Sequence, residues 1–192
     1  TTIKAVLNLI RRDAGEIRVL GQDNIADERA VKERMGVVLE DGCSLNTMHP
    51  RQVDTLMRKA YRNWDSEQFF GFLSRLGIDR DKKIKDYSKG MRMKINIAAA
   101  MSHGAELLIM DEPTSGLDPI VRDEVLDLFY DFMQDEGHAI LLSSHITSDL
   151  DKIADYITFI HAGRVALSEP RDELLDTYGV LRCTADQLSA LD

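Results

Sequence analysis

No apolar run in these 192 residues approaches the roughly 20 needed to cross a bilayer, and no signal-peptide pattern opens the chain. A role at a membrane would therefore require another chain to hold this one there. Cysteine is scarce: Cys43 and Cys183 lie far apart with no CxxC or Cys/His spacing, and they read as reduced cytosolic residues rather than a disulfide or a zinc site. Internal repeats, low-complexity tracts and heptad runs are lacking, so solenoids and coiled coils drop out. Positive charge is in deficit, 24 Lys and Arg against 33 Asp and Glu for a net charge of -9, which argues against a general nucleic-acid-binding surface. What is present, 44% hydrophobic and 30% charged residues, is the make-up of a globular chain long enough for one domain with a real core.

Apolar spacing supplies the elements. Ile3, Val6, Leu7 and Ile10 recur at helical intervals. "GEIRVLG" (15–21) alternates between glycines as a short strand does, and "GVVLEDG" (36–42) is an apolar run ending in acids. Residues 46 to 103 contain no convincing strand. There "DSEQFFGFLSRLGI" places Phe69, Phe70, Leu73 and Leu76 on one helical face, and "SKGMRMKINIAAAMSHG" is a second helix. The runs "ELLIM" (106–110), "AILLSS" (139–144) and "YITFI" (156–160) are separated by the helical "VRDEVLDLFYDFMQ" and "SDLDKIAD". "HAGRVAL" (161–167) reads as a glycine-turned hairpin. Strands alternating with helices predict an α/β fold built on a parallel sheet, with 46–103 as an inserted helical subdomain.

In open parallel sheets, ligands bind outside the carboxyl ends of the strands. The run Leu107 to Met110 ends there in two adjacent acids, Asp111 and Glu112. Such a pair is costly in a dry site unless a cation or a proton compensates, so the pattern suggests magnesium held near Asp111 and Glu112 left to polarise a water. The next strand ends in "SSH", which brings His145 to the same edge, able to contact a phosphate or orient a water. In "YSKGM" (87–91), Ser88, Gly90 and a helix N-terminus offer hydroxyl and N–H groups to an anion. Each feature alone has a plainer reading: strand-end acids in a loop or helix cap, a loop histidine, an N-cap serine.

Taken in order along the whole chain, these stretches resemble the nucleotide-binding subunit of an ABC transporter. "LLIMDE" looks like the family's Walker B strand with its catalytic glutamate. "SGLD" (115–118) resembles the D-loop, "SSH" the switch-histidine segment, "YSKGM" the signature motif, and "GVVLEDG" the start of the Q-loop. "DEPTSGLDP" carries most of the specificity. "TTIKAVLNLIRRDAGEIRVLGQD" and "SSHITSDLDKIADYITFIHAGRV" are similar to bacterial exporter-type subunits that work with a separate membrane subunit. The resemblance implies a P-loop NTPase-like parallel sheet flanked by helices, making 1–192 a single ATPase domain with the start of a C-terminal extension at 178–192.

Three departures stand out. The GxxGxGK[ST] phosphate loop is not in the sequence; Thr1 and Thr2 align with the residues just after it, and Thr1 would touch the α-phosphate. The reading expects a fragment that binds ATP poorly. The Q-loop glutamine is replaced by Glu40, followed by Asp41; Glu40 can still face magnesium but adds negative charge beside phosphates. In the signature, Lys89 and Met91 replace a glycine and a hydrogen-bonding side chain, while Ser88 and Gly90 remain.

The implied mechanism uses ATP and Mg2+ in a head-to-tail pair of nucleotide-binding subunits, homo- or heterodimeric. ATP lies between one subunit's phosphate loop and the other's Ser88-Lys89-Gly90 segment. Asp111 helps hold magnesium, Glu112 is the general base, His145 steadies the γ-phosphate, and Asp118 communicates across the dimer. The subunit would sit at the inner face of the cell membrane through a transmembrane permease, near which the 46–103 insertion would lie. Core packing is the preferred reading of Trp64, Phe69, Phe70 and Phe72 individually. A catalytically weak, regulatory subunit is the alternative, motivated by Glu40 and the altered signature. A soluble ABC protein of translation or DNA repair ranks last, since this chain shows one domain, no coiled coil and negative charge.

Overall fold

A computed structural model describes residues 1–39 and 45–179, with the backbone alone at Asn46. Glu40, Asp41, Cys43 and Cys183, and the extension beyond residue 179, lie outside the described residues. The chain divides into two compact units, Thr1–Ile146 and Thr147–Asp192.

The first unit opens with helix α1 (Thr2–Val6), the two-residue strands β1 (Arg18–Val19) and β2 (Gln22–Asp23), and α2 (Glu28–Glu33). Helix α1 is shorter than the apolar spacing predicts and stops before Ile10. Asn8 is left-handed (φ 55°), its N–H bonds Ala5 O (3.1 Å), and Leu9 N–H reaches back to Lys4 O (2.8 Å), which is a Schellman closure. Asn24 holds the same end, donating to the carbonyls of Ala5 and Val6.

Strand β3 (Met35–Val38) is followed by α3 (Pro50–Ala60), α4 (Ser66–Arg75) and α5 (Lys89–Met101), then by β4 (Leu107–Asp111), α6 (Pro119–Phe132) and β5 (Ala139–Ser143). These strands form a parallel sheet in the order β3-β4-β5, with β4 central. Leu108, Ile109 and Met110 are fully buried, as a central parallel strand requires, because both its faces are covered. The register pairs Gly36 with Leu108, and Asp111 with Ser143. A forked ion pair ahead of the strands secures it: Arg34 Nε donates to Glu106 Oε1 (2.7 Å) and Nη2 to Oε2 (2.5 Å). Arg34 holds the Glu106 carboxyl below its usual range.

The helices between β3 and β4 share a core in which Val53, Phe69, Leu73 and Ile95 are fully buried, with Trp64, Phe70, Phe72 and Leu76 packed against it. Of the segment's aromatics Phe69 and Tyr87 are buried, and the indole N–H of half-buried Trp64 is satisfied by buried Asp54 (2.8 Å). Helix α5 crosses β3 at Gly36. A Cβ there would collide with the carbonyl oxygen of Ala100 and lie 2.5 Å from Leu108 Cδ2.

The second unit holds α7 (Thr147–Ile153), β6 (Tyr156–His161), β7 (Arg164–Pro170) and α8 (Arg171–Thr177). Strand β6 pairs antiparallel with β7, the glycine-turned hairpin that "HAGRVAL" signals. Ala162 (φ 48°) and Gly163 (φ 75°) form the two-residue left-handed turn that closes such a hairpin locally. Among the described residues, no helix is long and apolar enough to cross a membrane.

Replacing Gly36 by alanine is expected to cost about 2 kcal/mol or more in urea unfolding, because backbone must move to admit the methyl. Gly71→Ala, inside α4 with open space around it, is expected to stabilise by up to about 1 kcal/mol. Equal effects at the two glycines would contradict the close approach of α5 to β3.

Candidate functional site

The site grows out of the carboxyl ends of β4 and β5. Their register sets Ser143 directly opposite Asp111. The Ser143 hydroxyl donates to Asp111 Oδ1 (2.7 Å) and accepts the backbone N–H of Glu112 (3.1 Å). That N–H also lies 3.2 Å from the Ser143 carbonyl oxygen. Glu112 itself is left-handed (φ 51°), a conformation that costs an L-residue roughly 1–2 kcal/mol. Its surroundings hold it there: the Ser143 contacts fix its N–H, Ser115 N–H bonds its carbonyl (3.1 Å), and its Oε2 lies 2.7 Å from Nδ1 of His145. The Glu112 side chain is 22% exposed and that of His145 70%, so the pair faces outward with the carboxylate partly sheltered.

After Glu112 the chain runs through a tight turn. Leu117 N–H bonds Thr114 O (3.2 Å), and Gly116 has φ 67°. Asp118 caps α6, its Oδ1 accepting Val121 N–H (3.1 Å), with Pro119 in the first helical position where a missing N–H costs nothing.

Helix α5 presents its N-terminus beside this turn. Ser88 is the N-cap and accepts Met91 N–H (3.2 Å). Gly90 lies against α6, where a Cβ would come 2.7 Å from Val121 Cγ1. Lys89 Nζ donates to Ser115 O (2.8 Å). Upstream, buried Tyr87 donates its hydroxyl to Asp79 O (2.7 Å), fixing the approach to the helix, and burial pushes that phenol up from its usual pKa. At the other end of the sequence, Thr1 is the N-cap of α1, Thr2 opens it, and both are exposed.

The structure thus gathers Asp111, Glu112 and His145 in one hydrogen-bonded set through Ser143, and joins Lys89 to the turn leading to Asp118. A carboxylate with an imidazole at 2.7 Å can take a proton from a water, and a capped helix start can receive an anion. Asp111 fits a hard cation. Among the described residues no three His, Cys, Asp or Glu side chains gather to cage one, so a cation here would rely on one or two carboxylates and the oxygens of its ligand, which is magnesium's habit. Sequence reasoning passed over Ser143 and the reach of Lys89. Ser143 was written in "SSH", but its role needs the β4–β5 register. Lys89 needs the turn geometry, for which Gly116 was the available signal.

The family model for ABC transporters matches residues 1–115. The chain is 34% identical over 188 residues to the daunorubicin/doxorubicin resistance ATP-binding protein of Streptomyces peucetius, and 30% identical over 176 residues to the bacitracin transport ATP-binding protein of Bacillus licheniformis. These alignments take in 93% and 91% of this chain but only 56% and 58% of the relatives, so the chain spans little more than half their length. A solved ATP-binding subunit of an ABC transporter superposes with TM-score 0.79 at 24% identity, covering 99% of this chain and 81% of that one. A dimeric ATP-binding cassette bound to ADP and Pi superposes with TM-score 0.71 at 17% identity, over 88% and 78%. The fold is that of ABC ATPase domains.

Ser143→Ala removes a hydroxyl that serves both acids and is expected to cost about 1–2 kcal/mol in urea unfolding. Ser143→Thr, which keeps the hydroxyl on a strand-favouring side chain, is expected to retain most of that stability. Equal stability of wild type and the alanine variant would remove Ser143 from the account.

Proposed function

The chain belongs to the ABC transporter family, and from that premise we propose that it is the ATP-hydrolysing part of a subunit that powers an exporter. The observation that carries the reading is the Glu112–His145 pair, held at the end of β4 beside Asp111. Glu112 acts as general base, accepting the proton of the attacking water at its carboxylate. His145 sets Nδ1 against Glu112, leaving Nε2 to face the γ-phosphate. One ring then fixes the base and steadies the group under attack. Asp111, oriented by Ser143, would help hold magnesium, which when bound neutralises phosphate charge. Glu40 is proposed as a second residue near that ion.

Two such subunits meet head to tail, so that ATP on one is closed by the α5 N-terminus of the other. Ser88 has a hydroxyl proton left to donate after accepting Met91 N–H, and the first-turn N–H groups share the task. Thr1 and Thr2, at the start of α1, lie on the α-phosphate side of the nucleotide in the proposed arrangement. Asp118, which caps α6, signals across the interface. The helical segment 46–103 faces a transmembrane permease, which anchors the subunit at the cytoplasmic face of the membrane; closure on ATP and reopening after hydrolysis move the permease. Curated relatives named for bacitracin transport and for daunorubicin/doxorubicin resistance support an exporter.

Glu112→Gln in the full-length protein is expected to lower ATP turnover by a factor of at least about 100 while ATP-bound dimers accumulate in size-exclusion chromatography. Undiminished hydrolysis in that variant would refute the assignment of Glu112.

A further inference from the structure

Lys89 is electrostatically misplaced as a helix residue. It occupies the first position of α5, where the helix dipole disfavours a cation, and the first turn carries no acid to compensate. Its ammonium group instead lies against another segment of the chain. Nζ donates to Ser115 O (2.8 Å), and a Cβ on Gly116 would lie 2.9 Å from the same nitrogen. Ser115 and Gly116 belong to the turn that leaves left-handed Glu112 and ends at the α6 cap Asp118. One residue along, Gly90 lets the start of α5 press on Val121 of α6.

We infer that Lys89 is a positioning residue: it ties the start of α5 to the turn 112–118, so that the phosphate-facing helix end and the base Glu112 are set as one block. This inference rests on the proposed function for its catalytic consequence but not for the contact itself. The strut is an exposed side chain that bridges two segments of the same chain. Gly116 suits the turn through its positive φ, and the ammonium takes the space beside it.

The test is hydrogen exchange in the wild type, Lys89→Met, which keeps the aliphatic stem, and Lys89→Arg, which keeps the donor and the reach. The reporters are the amides of Ser115 and Leu117, both hydrogen-bonded within the turn. In the methionine variant their exchange is expected to rise about fivefold or more, with α4 unchanged as a folding control, and arginine is expected to restore most of the protection. Unchanged exchange in Lys89→Met would overturn the inference. In steady-state hydrolysis by the full-length protein, Lys89→Met is expected to lower kcat by about tenfold with KM for ATP within about twofold. A raised KM at unchanged kcat would place the ammonium on the nucleotide and overturn the positioning role. A wild type that does not hydrolyse ATP would refute the proposed function, and the exchange measurement would still decide the strut.

Discussion

A single hydroxyl group separates two adjacent acids into two tasks. Ser143 gives its proton to Asp111 and takes the N–H of Glu112, so one carboxylate is turned toward the strand end and the other is lifted away on a left-handed residue. Without that bridge, Asp111 would lose the hydroxyl that orients its carboxylate, beside a neighbouring carboxylate that repels it. The bridge exists only because β5 pairs in parallel with β4 at a register that sets residue 143 against residue 111. A slip of one residue in that pairing would turn Ser143 to the opposite face, while the Arg34–Glu106 fork and the passage of α5 over Gly36 hold the neighbouring β3–β4 pair.

The same economy governs the second half of the site. The turn after Glu112 leads into α6, α6 carries the Val121 surface on which Gly90 rests, and Gly90 lies in the first turn of α5, which is offered to an anion. Acids, turn and helix start therefore form a continuous chain of short contacts. A nucleotide closing between two such subunits would press on a rigid assembly, and force at the helix start would pass to the base by direct contact rather than through loose loops.

Much of this is legible in the amino-acid sequence. The fully apolar run at 107–110 marks a central parallel strand, and a strand that ends in acids marks the active edge of such a sheet. Periodicity placed Phe69 and Leu73 in the core of the helical segment because a 3.6-residue repeat leaves few alternatives. Other features were not legible for physical reasons. Helix α1 stops at a Schellman closure around Asn8, and asparagine signals such a stop far less strongly than glycine. Ser143 and Lys89 act through contacts between residues more than twenty positions apart, which a one-dimensional pattern does not contain.

The central claim is that Asp111, Glu112 and His145 of one subunit and the α5 N-terminus of another enclose a single nucleotide. The most direct test is a crystal structure of the full-length protein carrying Glu112→Gln with ATP and magnesium. The account predicts a head-to-tail dimer with the γ-phosphate within hydrogen-bonding distance of His145 on one subunit and of Ser88 on its partner. A nucleotide bound away from the end of β4, or closed by a surface other than the start of α5, would contradict it.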